Sequence, residues 1–148
     1  MAEASLGGLP GWARNLLETE PVGHLGLIDY EGLPRVLPVT FAVVGEAIWS
    51  AIDEKPKRVP GRELARVRWL QDRPETAFTV DHYSEDWSEL AWVQVLGRTT
   101  VAELDGNDAA LEALSSRYPS YRTQPPRGPL LKLQPERLVW WRAEDAAG

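Results

Sequence analysis

Two stretches of this chain gather side chains with chemistry to offer. The segment from Lys55 to Arg73 holds seven of the sixteen basic residues (Lys55, Lys57, Arg58, Arg62, Arg66, Arg68 and Arg73) against two acids, Glu63 and Asp72. In a chain of net charge −6 that concentration needs a reason. It follows an expected strand and leads into an expected helix, where a phosphate can meet both cations and backbone N–H donors. Lys55, Lys57 and Arg58 are the stronger candidates, because the later arginines fall at helix-surface spacing. The plain alternative is a solvated basic helix face. The second stretch, Asp81-His82-Tyr83-Ser84-Glu85-Asp86-Trp87, ends an expected strand in groups that hydrogen-bond and stack. His82 and Tyr83 are its candidate proton donors. The alternative here is that Asp81 and His82 only finish the strand.

Other chemistries are removed by what the chain lacks. With no cysteine, disulfides, thiolate nucleophiles and zinc–thiolate sites are excluded. His24 and His82 are the two histidines, and neither has a carboxylate at metal-ligand spacing, so no metal is expected. No serine sits in a Gly-x-Ser-x-Gly turn, and no phosphate-binding glycine loop or dinucleotide fingerprint is present. The negative net charge works against nucleic-acid binding. Seven tryptophans (Trp12, Trp49, Trp69, Trp87, Trp92, Trp140 and Trp141) exceed what a small core holds, so some suit an interface or a platform for a flat ring. A phosphate anchor, aromatic surroundings and no protein nucleophile together suit a bound cofactor that brings its own reactive atom.

The elements that must position these groups read as mainly β. Pro10 suits a first helical turn, and Ala13, Leu16 and Leu17 give a short helix that stops near Thr19, ahead of Pro21. Strands are expected at Val22–Asp29, Arg35–Val43 and Ala47–Ile52, joined by turns at residues 30–34 and 44–46. A helix follows over Arg62–Arg73, then strands at Thr76–Tyr83 and Leu90–Leu104, with Gly97 marking a bend or bulge. Asn107 can cap a helix reaching Arg117, a proline-rich loop runs to Gly128, and Leu130–Trp141 supplies the last strand, where Pro135 marks a break or an edge. The expectation is a six-stranded antiparallel barrel in one domain of residues 1–148, with flexible ends near 1–8 and 143–148. No apolar run approaches the roughly 20 residues that cross a bilayer. Nor does a charged-then-apolar leader open the chain, so a cytoplasmic protein without membrane partners is expected. Thirteen arginines against three lysines fit a GC-rich bacterial genome.

These residues resemble a known family. Val22-Gly23-His24-Leu25, then Gly32-Leu33-Pro34-Arg35-Val36-Leu37-Pro38-Val39-Thr40-Phe41, then Ser50-Ala51-Ile52-Asp53-Glu54-Lys55-Pro56-Lys57-Arg58 are similar to the pyridoxamine-5′-phosphate-oxidase-like split barrels. Val80 to Trp87, Leu90-Ala91-Trp92-Val93 and Gly97-Arg98 resemble the actinobacterial branch of deazaflavin-dependent oxidoreductases. The resemblance implies a split β-barrel homodimer that uses coenzyme F-420, or alternatively FMN, on a small-molecule substrate. It places the cofactor phosphate on Lys55, Lys57 and Arg58, and the ring over the backbone of Pro38, Val39 and Thr40. Ser50 and Ala51 become neighbours of the ring, and Trp87, Trp92 or the Trp140–Trp141 end closes the pocket from the partner subunit. Val59-Pro60-Gly61 departs from the family's smooth passage into the helix. A cofactor carrier without catalysis, or a scaffold with a vestigial pocket, are the non-enzymatic alternatives.

Overall fold

The computed structural model describes residues 5–52 and 61–146, the side chains of residues 61–64 excepted. In chain order the elements are α1 (Gly11–Thr19), β1 (Gly23–Ile28), β2 (Pro34–Val39), β3 (Ala42–Val44), β4 (Ala47–Ala51), α2 (Gly61–Asp72), β5 (Glu75–His82), β6 (Ala91–Ala102), α3 (Asp108–Arg117), α4 (Ser120–Thr123), β7 (Leu130–Arg142) and α5 (Ala143–Ala146). The strands form one antiparallel sheet in the order β2-β1-β5-β6-β7-β4-β3. Its two edge strands, β2 and β3, are consecutive in the chain and separated only by Thr40 and Phe41. A seven-stranded sheet whose edges are two residues apart must curl into a half-barrel with a seam between them.

Seven strands rather than the expected six result from a break inside Arg35–Val43. The apolar alternation runs on through the break, but the backbone ladder does not. The Phe41 N–H donates to the Tyr118 hydroxyl at 3.0 Å, and the Thr40 carbonyl accepts from Ser50 Oγ at 2.6 Å. Side chains have taken backbone groups that a continuous strand would give to its neighbour.

Inside the curl, Leu25, Leu27, Phe78, Val80, Val93, Val95, Leu131, Leu133 and Leu138 make the core, covered at one end by Leu16 and Leu17 of α1. β4 is buried on both faces, because Ile48 looks into the curl while Ala47 and Trp49 pack under α3 with Leu114 and Tyr121. The bulge expected at Gly97 is present. Gly97 faces Pro135 and Leu96 faces Arg137, so Glu136 is the extra residue. A Cβ on Gly97 would lie 2.1 Å from the Gln134 carbonyl oxygen, an approach only glycine permits. Pro135 falls where β7 has passed the end of its pairing with β4, so its missing N–H costs no ladder bond there.

Local details differ from the sequence reading in three places. Pro10 stands at the N-cap of α1 rather than in its first turn, its carbonyl accepting from Ala13 and Arg14. Asn107 occupies the cap position of α3, but its side chain donates back to the Glu103 carbonyl instead of capping. Leu6, expected in a flexible end, is fully buried in a one-turn 3-10 helix, its N–H held by the Glu46 carboxylate at 2.7 Å. No helix among the described residues is long and apolar enough to cross a membrane.

Candidate functional site

The seam between the sheet edges opens into a cleft of about 470 Å³, continuous with solvent and lined by Val22, Pro38, Val39, Thr40, Ala51 and Arg66. Of that space about 150 Å³ is enclosed, less than the roughly 300–1,000 Å³ of a whole small-molecule site, so the cleft holds part of a ligand and leaves the rest at the surface. Four elements contribute. β2 supplies Pro38 and Val39 and leads into Thr40; β4 supplies Ala51 from across the seam. Val22 stands just ahead of β1, and Arg66 reaches in from α2. The lining side chains are mostly small and apolar, with one hydroxyl and one guanidinium, and backbone and side-chain polar atoms make up about half of the cleft surface. Such a lining accepts a flat apolar body and an anionic or hydrogen-bonding appendage.

A cluster from α3 and α4 sets the shape of this cleft. Arg117 Nη1 donates to the Leu17 and Phe41 carbonyls at 3.0 Å each, and its Nη2 donates to the Glu20 carbonyl. One side chain thus caps the C-terminus of α1 and grips the β2–β3 junction. Its guanidinium also lies 4.3 Å from the Phe41 ring centroid. The Tyr118 hydroxyl is 2.8 Å from the Pro21 carbonyl and 3.0 Å from that of Phe41. A phenol has one proton; Phe41 already receives Arg117, so Pro21 is the natural acceptor. Burial pushes the Tyr118 phenol above its usual range, partly offset by the Phe41 backbone N–H and the nearby Arg117 charge. The Thr40 hydroxyl meets the Tyr121 hydroxyl at 2.6 Å. Val22 and Thr40, which lie next beyond the Gly23–Val39 pair at the end of the β1–β2 ladder, are therefore both fixed through Tyr118 and Tyr121.

Of the residues singled out in the sequence, Pro38, Val39, Thr40 and Ala51 converge on the cleft. Ser50 does not line it. Ser50 is buried on the inner side of β4 and donates to the Thr40 carbonyl, one layer behind the wall. Lys55, Lys57 and Arg58 lie outside the described residues, as do Val59 and Pro60 of the departure noted above. His82, at the end of β5, pairs through Nδ1 with the Glu20 carboxylate at 3.0 Å, and Tyr83 is exposed. Neither lines the cleft. Trp92 stands between Asp81 and Trp141 on the outer face of the sheet, and Trp87 is exposed in the one-turn helix ahead of β6. Among the described residues, no group of three or more His, Asp or Glu is placed to hold a metal ion.

Sequence reasoning missed Tyr118 and Tyr121 and ranked Arg66 below Lys55, Lys57 and Arg58. Arg66 had a stronger legible signal than that. It lies three and four residues before Trp69 and Leu70, which turn inward from α2, so it continues the buried stripe rather than the solvent face. The two tyrosines sit after α3 in a region read as loop, and nothing local marks their partners, which lie 77 to 97 residues away.

A curled antiparallel half-barrel with a cleft at its open seam is the split-barrel class of protein. Residues 12–139 match the pyridoxamine 5′-phosphate oxidase family model, and the chain belongs to that family. Solved structures share the fold at low identity. A conserved hypothetical protein from Mycobacterium tuberculosis, Rv2991, is 15% identical with a TM-score of 0.71 over 90% of this chain and 84% of that one. HutZ, the heme storage protein of Vibrio cholerae, is 16% identical with a TM-score of 0.68 over 85% and 89%. A FAD-binding protein of Mesorhizobium loti is 16% identical with a TM-score of 0.64 over 85% and 87%. No curated protein matches the chain.

Proposed function

We propose that the seam cleft binds the ring system of a flavin-type cofactor, coenzyme F-420 or alternatively FMN, and that the protein is an oxidoreductase acting on a small organic substrate. The carrying observation is the cleft itself, with Pro38, Val39 and Thr40 on one wall, Ala51 on the other and Arg66 beside them. When bound, the cofactor supplies hydride transfer at its ring. The chain's own residues hold that ring between two strand edges, pack small apolar side chains against it, and set the Arg66 cation against negative charge on the ligand. Lys55, Lys57 and Arg58 are the proposed phosphate contacts. His82 and Tyr83 are the proposed proton donors, His82 being tied to Glu20, two residues before the cleft-lining Val22. A homodimer with Trp87, Trp92 or Trp140–Trp141 near the second copy completes the proposal.

The test is a parallel titration of the protein with F-420, FMN and hemin, followed by fluorescence and absorbance. Micromolar or tighter binding of F-420 or FMN supports the reading and identifies the cofactor, and turnover with a reductant panel separates an enzyme from a carrier. Binding of hemin alone, or of none of the three, overturns it. Light scattering on the same sample reads the oligomeric state.

A further inference from the structure

Tyr121 is a buried phenol to which the proposed reaction gives no role, yet its hydroxyl lies 2.6 Å from that of Thr40, which lines the cleft. Its ring is fixed within the cluster of Ala42, Trp49, Leu114 and Leu130 under α3, and it meets the Tyr118 ring edge-on at a centroid distance of 5.8 Å. The Thr40 carbonyl is already taken by Ser50, and the Phe41 backbone by Tyr118 and Arg117. Thr40 is thus a residue whose backbone is held and whose hydroxyl has a fixed neighbour in Tyr121.

A phenol, with an ordinary pKa near 10, is a far stronger acid than an aliphatic alcohol, so in a phenol–alcohol pair the phenol is the better donor. With Tyr121 donating, Thr40 Oγ1 accepts and its own proton is directed to a different acceptor. From the observed contacts we infer that Tyr121 is a positioning residue: it orients the Thr40 hydroxyl to donate into the cleft, to a carbonyl oxygen or ring nitrogen of the bound cofactor. This inference rests on the flavin-type reading above. It adds a specific hydrogen bond that the apolar walls cannot supply, and it assigns a binding function to a residue that touches no ligand.

A double-mutant cycle on the full chain tests it, using whichever of FMN or F-420 the wild-type protein binds. Tyr121→Phe keeps the ring in its packing, and Thr40→Val keeps the shape while removing the hydroxyl. Each is expected to weaken binding by about tenfold, the measure of one buried hydrogen bond. The double variant is expected to lose no more than either single one, because both delete the same bond. Thr40→Ser retains a hydroxyl and is expected to keep near-wild-type affinity. The visible absorption maximum of the bound cofactor shifts in the same direction in Tyr121→Phe and Thr40→Val, a change that simple loosening of the fold would not produce. Losses that multiply in the double variant, a spectrum unchanged in Tyr121→Phe, or a Thr40→Ser variant as weak as Thr40→Val overturn the inference while leaving the cofactor reading intact. Wild-type protein that binds neither cofactor overturns both.

Discussion

Tyr118→Phe isolates the hydrogen bonds that tie Pro21 to the β2–β3 break, and its cost can be worked from the structure. The substitution keeps the ring and removes one oxygen. Phe41 has no exposed surface, so no water can reach its N–H when the phenol oxygen at 3.0 Å is gone. Orphaning a buried donor costs about 1–3 kcal/mol. The lost donation to the Pro21 carbonyl adds about 0.5–1.5 kcal/mol, while Arg117 continues to serve the Phe41 carbonyl. The expected destabilisation is about 2–4 kcal/mol, which moves a urea midpoint by about 1–2 M at a slope near 2 kcal/mol/M. A pH dependence accompanies it. Burial raises the folded-state pKa of this phenol, so its contribution is fully present below the unfolded value near 10 and is lost as pH rises through the folded value. Wild-type protein therefore loses stability on the alkaline side of pH 10, and the Phe variant lacks that component. Urea titrations of both proteins from pH 7 to 11 measure it. A midpoint within about 0.3 M of wild type, equivalent to under 1 kcal/mol, would refute the hydrogen-bond accounting. An identical alkaline slope in the variant would refute the assignment to Tyr118.

Three further predictions concern other parts of the molecule. Gly97→Ala drives a Cβ to 2.1 Å from the Gln134 carbonyl oxygen, on backbone that cannot swing aside; a loss of about 3 kcal/mol or more is expected in chemical denaturation. Arg66→Ala should weaken F-420 or FMN binding by about 1.5–3 kcal/mol if the guanidinium contacts an anionic group, read as a roughly 10- to 150-fold rise in Kd; an unchanged Kd removes that contact. The Asp29 carboxyl is held below its usual pKa, first by the Leu33 N–H, against a desolvation that raises it, and then by Glu31 and Arg35. Its stabilisation is present above the unfolded value near 4 and lost as pH falls through the folded one, so Asp29→Asn should flatten the acid limb of the stability profile between pH 5 and 2.

Much of the fold was legible because the signals were local. The apolar spacing of Ala13, Leu16 and Leu17 gave α1, and β-branched runs gave the strands near their observed limits. Gly97 announced the bulge, since a glycine amid strand residues implies close backbone approach. The β2–β3 break was illegible for the complementary reason. Leu37, Val39, Phe41 and Val43 keep period two straight through it, and the ladder is interrupted by Tyr118 and Arg117, 77 and 76 residues beyond Phe41, and by Ser50 of the next hairpin strand. The cleft divided along the same line. Pro38, Val39, Thr40 and Ala51, which line it, are named through the family's strand motifs, whereas Arg66 ranks low because its spacing reads as helix surface rather than as the neighbour of an inward stripe.

The location of the cleft follows from how the sheet fails to close. Its two edges belong to consecutive strands joined by two residues. At that joint Thr40 and Phe41 commit their carbonyls and the Phe41 N–H to Ser50, Tyr118 and Arg117, so these groups take no part in a ladder. An open edge is ordinarily a liability, because it invites strand addition from another chain. Here β2 carries Pro34 and Pro38, which lack the donors a strand partner would need, and the break turns the chain away immediately afterwards. The seam is thereby poor at accepting a strand but keeps the width and apolar walls to accept a flat molecule. The same commitments that break the strand between β2 and β3 fix Thr40 in the wall of the cleft.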